Sequence, residues 1–346
     1  MRFLKIPILS FAVFLVVIAL LGVWHWLSVV EEQVEFENGE LTLRGTLRTP
    51  RWDDSAPAFV MVHGSGPVTR QTMVVYAWLF GLKGYATLSY DKRGVGASDG
   101  KPHEWREFSF TNLAADAVAG YEFLQSDPRI DGERVGFFGG SQGGWVVSLA
   151  ATQVESPAFV MMVSPSVSTV AQDRVFQRAA SVLHKFDQAA AEEASELIQA
   201  DHIVTRTGTG YENYLRLWKE YQGRSWFSAV YGDSEPVPPG AGARRWEKTV
   251  LEFDPQPYLK KIDAPTLWLF GDPPLDRSVP VELSLERLRT AKEDGACYRI
   301  IQVDNVGHTL EPEGDLKMME RLRIRFSLPR DIYQWLDDIE SGKACS

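Results

Sequence analysis

The chain has 346 residues, of which 45% are hydrophobic, 24% are charged and 12% are aromatic, including 11 Trp. This composition excludes a disordered chain, and the length suffices for one large core with an insertion. The formal net charge of −10 argues against a nucleic-acid partner, because phosphate binding requires a local excess of Lys and Arg.

The N-terminal segment is apolar from residue 6 to residue 30 and follows two basic residues. About 20 apolar residues in a helix cross a bilayer core, and preceding basic residues favour a cytoplasmic N-terminus. The run is longer than that of a secretory signal peptide, and Trp24 and Trp26 stand where a cleavage site needs small residues. We predict that residues 1–30 form an uncleaved membrane anchor, with a cleaved signal peptide as the alternative. In both cases the body lies in the periplasm or outside the cell, and cleavage would make the protein secreted.

After residue 30, strand patterns alternate with helix patterns. Alternating apolar and polar residues at 41–47 predict a half-buried strand in an antiparallel hairpin with residues 34–36. Continuous apolar runs predict strands buried on both faces at 58–62, 85–90, 134–138, 158–163, 266–270 and 298–303. Helical spacing is found at 76–82, 113–124 and 144–151. This order predicts right-handed crossovers in a mostly parallel sheet with helices on both faces.

The alternation stops between residues 166 and 261, where 171–205 and 211–221 are helical in pattern. We predict a helical cap at 166–261, inserted between two parts of one α/β core at 31–165 and 262–346. Four aromatic residues of this insertion either line a substrate pocket or hold the cap to the body: Trp218, Trp226, Tyr231 and Trp246.

The segment Gly139-x-Ser141-x-Gly143 lies between a predicted strand and a predicted helix. A serine hydroxyl is a weak nucleophile and must be presented with its base within reach. A sharp strand-to-helix turn does this, and the two glycines relieve its crowding. The N-terminus of the helix also directs N–H groups toward a developing oxyanion. The pattern predicts Ser141 as a nucleophile.

With this turn, the chain resembles the α/β-hydrolase superfamily, in its bacterial esterase and serine-aminopeptidase-like branch. Three further segments match that family after successive predicted strands: His63-Gly-Ser-Gly66, Asp91-Lys-Arg-Gly-Val-Gly-Ala-Ser98 and Gly307-His308. The resemblance implies an α/β-hydrolase fold and an oxyanion hole made by the backbone N–H groups of Ser65 and Gln142. The Ser65 hydroxyl is not expected to be a nucleophile, because no helix pattern follows it.

His308 is the predicted general base, because it alone among the six histidines follows a late sheet strand and comes after Ser141 in the order this fold uses. The family's loop for the acid resembles G-x-x-D-x-x-V-P, which aligns Asp276 with Val279-Pro280. Asp272 and Asp304 are the alternatives. The acid holds the histidine tautomer and stabilises the imidazolium.

The remaining polar residues suggest structural roles. We interpret Asp91 and Arg93 as an ion pair that braces neighbouring loops, with contact to a substrate carboxylate as the alternative. Cys297 and Cys345 are too few and too far apart for a disulfide framework or a zinc site, so both are expected to be structural or incidental thiols. No cluster of ligating residues has metal-binding spacing, and we predict neither a metal nor a cofactor.

The sequence therefore predicts a carboxylic-ester hydrolase that acts through an acyl-enzyme on a small or medium, largely apolar substrate. Two alternatives remain open: a serine peptidase of the aminopeptidase-like type and a catalytically silent binding protein on this fold. The peptidase would need acidic cap residues to hold a substrate amine, and no role can be assigned from sequence to Glu192, Glu193, Glu196 or Glu212. Nothing in the sequence indicates the oligomeric state.

Overall fold

The computed structural model describes residues 28–101 and 109–345. The predicted membrane anchor therefore lies outside the described residues as far as residue 27. Its last two positions, Val29 and Val30, belong instead to the first strand of the body, so the apolar run ends by entering the sheet. Within the described ranges, no helix has both the length and the apolar character needed to cross a bilayer.

The described residues form one sheet of eight strands in the order β1-β2-β4-β3-β5-β6-β7-β8. The hairpin of β1 and β2 is antiparallel and β2 pairs antiparallel with β4, whereas every later pairing is parallel. The strands are β1 (Val29–Asn38), β2 (Leu41–Pro50), β3 (Ala56–Val62), β4 (Ala86–Tyr90), β5 (Ile130–Gly140), β6 (Val160–Val163), β7 (Thr266–Phe270) and β8 (Tyr298–Gln302). The α/β-hydrolase fold with a mostly parallel sheet is thus confirmed.

Helices follow most strands, as the alternating pattern predicts. Those of the body are α1 (Val74–Leu82), α2 (Phe110–Ser126), α3 (Gln142–Ala150), α10 (Val281–Glu293) and α11 (Met318–Glu340). Between β6 and β7 lie α4 (Val170–Lys185), α5 (Gln188–Thr207), α6 (Tyr211–Tyr221), α7 (Phe227–Tyr231), α8 (Gly242–Leu251) and α9 (Gln256–Leu259), which we call the cap helices. A short 3-10 helix, Arg70–Met73, precedes α1.

The sheet is covered on both faces. One apolar cluster packs α2, α3 and α10 against the sheet, and the other packs α1 and α11 against its opposite face. Strands such as β3, in which every residue is buried, are apolar throughout because both of their faces meet helices. The cap helices have an apolar cluster of their own, in which aromatic residues pack against Ala, Val and Leu side chains.

Cys297 and Cys345 form a disulfide, so the expectation of two separate thiols is wrong. Cys297 directly precedes the edge strand β8, and Cys345 follows the C-terminal helix α11. Their Cα atoms are 4.9 Å apart although 48 positions separate them in sequence. The spacing of the two cysteines in the sequence does not predict this disulfide, because only the fold places the end of α11 beside the start of the edge strand.

Candidate active site

Ser141 occupies the turn between β5 and α3. Its backbone has φ 53° and ψ −119°, in the region that favours glycine, so this residue is strained. Its N–H donates to the carbonyl of Val163 in the neighbouring strand β6 at 2.8 Å, which fixes the turn to the sheet. The turn thus presents the Ser141 side chain at the carboxyl end of the strands.

The glycines around Ser141 are required by close backbone approaches. A Cβ atom at Gly143 would lie 2.3 Å from the carbonyl oxygen of Val62, and one at Gly139 would lie 2.7 Å from that of Gly143. A Cβ at Gly144 would meet Pro165 at 2.5 Å. A Cβ at Gly140, by contrast, would meet nothing closer than 3.9 Å. Close packing of α3 against β3, β5 and the segment after β6 therefore demands glycine at 139, 143 and 144.

The structure brings Ser141, His308 and Asp276 together from three separate loops. Ser141 Oγ lies 2.9 Å from His308 Nε2. On the other side of the ring, His308 Nδ1 lies 3.1 Å from each carboxylate oxygen of Asp276. This geometry suits a ring that carries its proton on Nδ1 and accepts the serine proton at Nε2.

Asp276 is wholly buried, and its Oδ1 accepts hydrogen bonds from the N–H groups of Ser278 at 2.9 Å and Val279 at 3.3 Å. These donors fix the carboxylate in the loop that follows β7. Of the two alternatives left open by the sequence, Asp272 accepts instead from the N–H of Asn305 at 3.3 Å, and Asp304 is exposed. Asp276 is therefore the carboxylate that meets His308.

The loops that carry Asp276 and His308 are in direct contact. A Cβ atom at Gly271 would lie 2.5 Å from the carbonyl oxygen of Gly307, so only glycine permits this approach. The hydrogen bond from Asn305 to Asp272 joins the same two loops. Asn305 and Leu310 both have positive φ, 59° and 58°, and they bend the chain on either side of His308.

Ser65 and Gln142 line one cavity with Ser141. Within the described ranges, neither of their backbone N–H groups donates to a backbone carbonyl. Ser65 belongs to the loop after β3, and Gln142 is the first residue of α3. Both N–H groups are thus available to an oxygen atom bound beside Ser141.

Asp91 and Arg93 brace the loop after β4, although not with each other. Arg93 forms a buried ion pair with Asp116 of α2, at 2.6 Å and 2.8 Å. Asp91 accepts from the N–H groups of Arg70 and Ala97, both at 2.9 Å. The interpretation of a structural brace agrees with these contacts, but the partners differ from those expected.

The cavity at Ser141 has a volume of about 190 Å³ and a lining that mixes polar and apolar side chains. The body and the cap both contribute to it. It is lined by Ser65, Phe110, Ser141, Gln142, Trp145, Ser166, Val170, Asp173, Arg174, Gln177, Val250, Ser278 and Val279.

Asp173, in the first turn of α4, is a site residue that sequence reasoning missed. It is 7% exposed, and its Oδ1 has no hydrogen-bond partner among the described residues. Burial raises the pKa of this carboxyl to about 6, against the opposing effects of a hydrogen bond from Ser166 and of the His308 charge. The capping box of Thr169 and Gln172 marks the start of α4, but it does not distinguish Asp173 from the other acidic residues of the cap.

Most of the cap residues singled out from the sequence contact other residues of the cap. Trp218, Trp226 and Tyr231 pack in its apolar cluster rather than in the cavity, whereas the side chain of Trp246 lies outside the described part of the chain. Glu193 accepts from the Trp226 indole at 2.8 Å, and Glu196 accepts from the Tyr221 hydroxyl at 2.6 Å. Glu192 accepts from Gln188, and Glu212 lies in the first turn of α6. The cap thus meets the cavity through α4 and α8.

Metal-ligating residues do not cluster at this site. Across residues 28–101 and 109–345, no group of three or more His, Cys, Asp or Glu side chains is arranged to hold a metal ion. The chemistry available from the described residues is nucleophilic attack by a serine, with proton transfer through a histidine.

A sequence model of the alpha/beta hydrolase family matches residues 59–315. The quorum-quenching protein AidA of Acinetobacter baumannii is 30% identical over 132 residues, which are 38% of this chain and 43% of that protein. The polyketide transferase claH of Penicillium crustosum is 33% identical over 139 residues, which are 39% of this chain and 44% of that protein. The chain thus matches less than half the length of these curated relatives.

Solved structures of similar fold include the Pyrococcus furiosus esterase Pf2001, with a TM-score of 0.54, 16% identity and coverage of 90% of this chain and 91% of that chain. The proline iminopeptidase of Mycobacterium smegmatis has a TM-score of 0.55 at 13% identity, over 90% of this chain and 99% of that chain. At these identities the likeness shows the fold alone.

Proposed function

Because the chain belongs to the α/β-hydrolase family, we propose that it is a serine hydrolase that cleaves carboxylic esters through an acyl-enzyme intermediate. The observation that carries the proposal is the hydrogen-bonded series from Ser141 Oγ to His308 Nε2 and from His308 Nδ1 to Asp276. The three side chains come from different loops, so the fold itself places the His308 base beside the Ser141 hydroxyl.

In the proposed mechanism, His308 Nε2 takes the Ser141 proton as the oxygen attacks the substrate carbonyl carbon. The resulting oxyanion accepts hydrogen bonds from the N–H groups of Ser65 and Gln142. The leaving alcohol takes the proton from His308, and water then attacks the acyl-serine with His308 again acting as the base. Asp276, held by two backbone donors, fixes the ring and stabilises its positive charge.

The cavity lining revises the expected substrate. A largely apolar group would leave the buried Oδ1 atom of Asp173 without a hydrogen-bond partner, and this costs free energy. We therefore propose a small substrate that carries at least one polar or charged group near the scissile bond. The volume of about 190 Å³ is below the roughly 300–1,000 Å³ of sites that hold drug-sized ligands, which favours a small substrate.

A fluorophosphonate probe tests this proposal, because it phosphonylates activated serines. We expect labelling of the wild type, with peptide mass spectrometry placing the adduct on Ser141, and none of Ser141→Ala, whose turnover falls by about four orders of magnitude or more. Ser65→Ala is the matched control: it removes a hydroxyl from the same cavity but keeps the backbone donor, so labelling should persist. An unlabelled wild type would favour the silent binding protein, and labelled Ser141→Ala would refute the assigned nucleophile.

Asp173 supports a second candidate, the cleavage of amides or esters that carry a free amine. Its unpartnered Oδ1 belongs to the same cavity as Ser141, where it can accept from an ammonium group. The structural neighbours include an esterase and a proline iminopeptidase, so the fold is compatible with both activities. The four cap glutamates considered from sequence are replaced in this hypothesis by Asp173.

A substrate panel separates the two candidates. Matched p-nitrophenyl esters with and without an α-amino group, and aminoacyl p-nitroanilides, should be compared in the wild type and in Asp173→Asn. If the substrate carries an amine, the variant loses about tenfold or more in kcat/KM on amine-bearing substrates alone, because it lacks a charge-assisted hydrogen bond. Equal losses on all substrates, or none, would leave the simple ester hydrolase as the better description.

A further inference from the structure

The ammonium group of Lys92 lies beneath the loop that carries Ser65. Lys92 follows β4 and is only 1% exposed. Its Nζ donates to the carbonyl oxygens of Gly64 at 2.7 Å and Gly66 at 3.0 Å, the residues on either side of Ser65. A third contact, at 3.3 Å, reaches the side-chain oxygen of Gln142.

These three contacts match the three donors of an ammonium group. One of them holds the peptide group that contains the Ser65 N–H, a second holds the Gly66 carbonyl, and the third reaches the side chain of Gln142, the first residue of α3. One side chain therefore connects the two separate segments that supply the N–H groups of the proposed oxyanion hole. The loop also lies beside the turn that carries Ser141, because a Cβ atom at Gly64 would be in van der Waals contact, at 3.4 Å, with Ser141 Cβ and with the Gly140 carbonyl oxygen.

Placing a lysine here has a cost. Burial lowers the pKa of the Lys92 amine to about 8, and an apolar side chain of similar length would avoid this desolvation. Packing alone does not explain a cation at this position. Its hydrogen bonds do explain it, since without Lys92 the carbonyl groups of Gly64 and Gly66 would lose a donor that they share.

We propose that Lys92 is a positioning residue that sets the separation and direction of the Ser65 and Gln142 N–H groups, and so acts on the transition state through them. The inference rests on the proposed serine hydrolase function. Lys92 is not among the residues that line the cavity, so it acts on the reaction through the Ser65 loop and Gln142. Its removal should therefore weaken the stabilisation of the tetrahedral oxyanion more than the binding of the substrate.

Lys92→Met tests this inference, because methionine approximates the length of the side chain without any donor. We expect kcat to fall about 10- to 100-fold with KM nearly unchanged, since a small displacement of catalytic donors has an effect of this size. The affinity for an arylboronic acid, which forms a tetrahedral adduct with the serine, should fall by a similar factor. A merely structural role would lower thermal stability without this matched loss.

Lys83→Met is the control, because Lys83 pairs with Asp337 of α11 and does not line the cavity. It should leave kcat and boronate affinity unchanged. Gln142→Leu provides a second route if Lys92→Met does not fold: it removes the third contact, keeps the backbone donor, and should lower kcat and boronate affinity severalfold. In a double variant the two losses should not add.

The outcomes separate this inference from the proposed function. Folded Lys92→Met, or Gln142→Leu in its place, with wild-type kcat and boronate affinity would overturn the positioning role while Ser141 labelling stood. If the wild type itself neither hydrolysed esters nor reacted with the fluorophosphonate probe, the proposed serine hydrolase function would be contradicted, whatever the Lys92 variant showed. Boronate binding is measured by calorimetry, so this readout does not require turnover.

Discussion

At the scale of single residues, the buried carboxylate of Asp173 lowers the stability of the folded protein. Its carboxyl is buried and Oδ1 has no hydrogen-bond partner among the described residues, so the charged form is disfavoured in the folded protein. The pKa is raised from 3.8 to about 6. A raised carboxyl pKa means that folding stability is greatest while the group is protonated and falls as pH rises through that range.

Asp173→Asn should therefore stabilise the fold above pH 6. The shift of about 2 pH units corresponds to at most about 3 kcal/mol in the free energy of unfolding. The gain should be full at pH 7.5, roughly half as large at pH 5, and absent below the pKa of the unfolded chain. Urea unfolding monitored by tryptophan fluorescence at several pH values measures it.

Asp304→Asn is the matched control, because Asp304 is exposed and the same substitution there should change stability by less than about 0.5 kcal/mol. A pH-independent effect of Asp173→Asn would contradict the assignment of the cost to the buried charge. A loss of stability at pH 7.5 would show that the carboxylate has a partner that offsets its desolvation.

At the scale of elements, the junction of β5 and α3 depends on how closely α3 approaches β3. The Val62 carbonyl oxygen would lie 2.3 Å from a Cβ atom at Gly143, and a rigid central strand cannot withdraw from it. Gly143→Ala should therefore displace the turn and lower kcat about 100-fold, with a loss of about 1–3 kcal/mol in stability.

Gly140→Ala is the comparison for this prediction. It adds the same methyl group one residue before Ser141, where the nearest atoms would be 3.9 Å away, and should retain most of the activity. Steady-state kinetics and thermal unfolding of the two variants decide the matter. Equal losses in both would show that flexibility of the turn, rather than the contact with β3, limits the site.

The elements also show which features the sequence could predict. The apolar runs locate the parallel strands, and the expected order of strand and helix follows from their alternation with helical spacing. Ser141 and His308 were predictable because each follows a strand, at the edge where parallel strands gather their loops. Asp276 needed a family resemblance, because one carboxylate among three is selected by loop geometry.

Features that depend on contacts between distant segments were not predictable in this way. Asp173 faces the cavity because the first turn of α4 lies over the strand ends, and no local pattern distinguishes it from the exposed acids of the cap. Arg93 pairs with Asp116 of α2 rather than with its neighbour Asp91, because the partner is chosen by packing of the helix on the sheet. The contacts of Lys92 also depend on the packing of distant segments, so the sequence did not predict them.

At the scale of the whole molecule, the C-terminal helix α11 joins distant parts of the body. It packs through Ile332, Trp335 and Leu336 on the sheet. Near its end, Asp338 pairs with Arg299 of β8 at 2.6 Å, and Glu340 pairs with Arg134 of β5 at 2.7 Å. Just beyond the helix, the disulfide links the chain to the residue that precedes β8.

Replacing both cysteines by serine should destabilise the protein. In the chain-entropy model, a cross-link over a separation of 48 residues stabilises by up to about 4 kcal/mol, because it restricts the unfolded chain. Dithiothreitol should lower the Tm of the wild type to that of the double variant and leave the variant unaffected. The catalytic residues lie in other loops, so kcat at 25 °C should change little. A wild-type Tm that is insensitive to dithiothreitol would show that the disulfide does not contribute.

The same disulfide bears on where the protein acts. We propose that the body lies outside the cytoplasm, because disulfides persist in oxidising compartments and because an apolar segment with preceding basic residues leads into β1. Cells that express the full chain should be quenched in acid and treated with a maleimide polymer before and after reduction. We expect no mass shift until reduction, and two added polymers afterwards. A variant without residues 1–27 provides the cytoplasmic comparison and should react without reduction, whereas immediate reaction of the full chain would contradict the proposal.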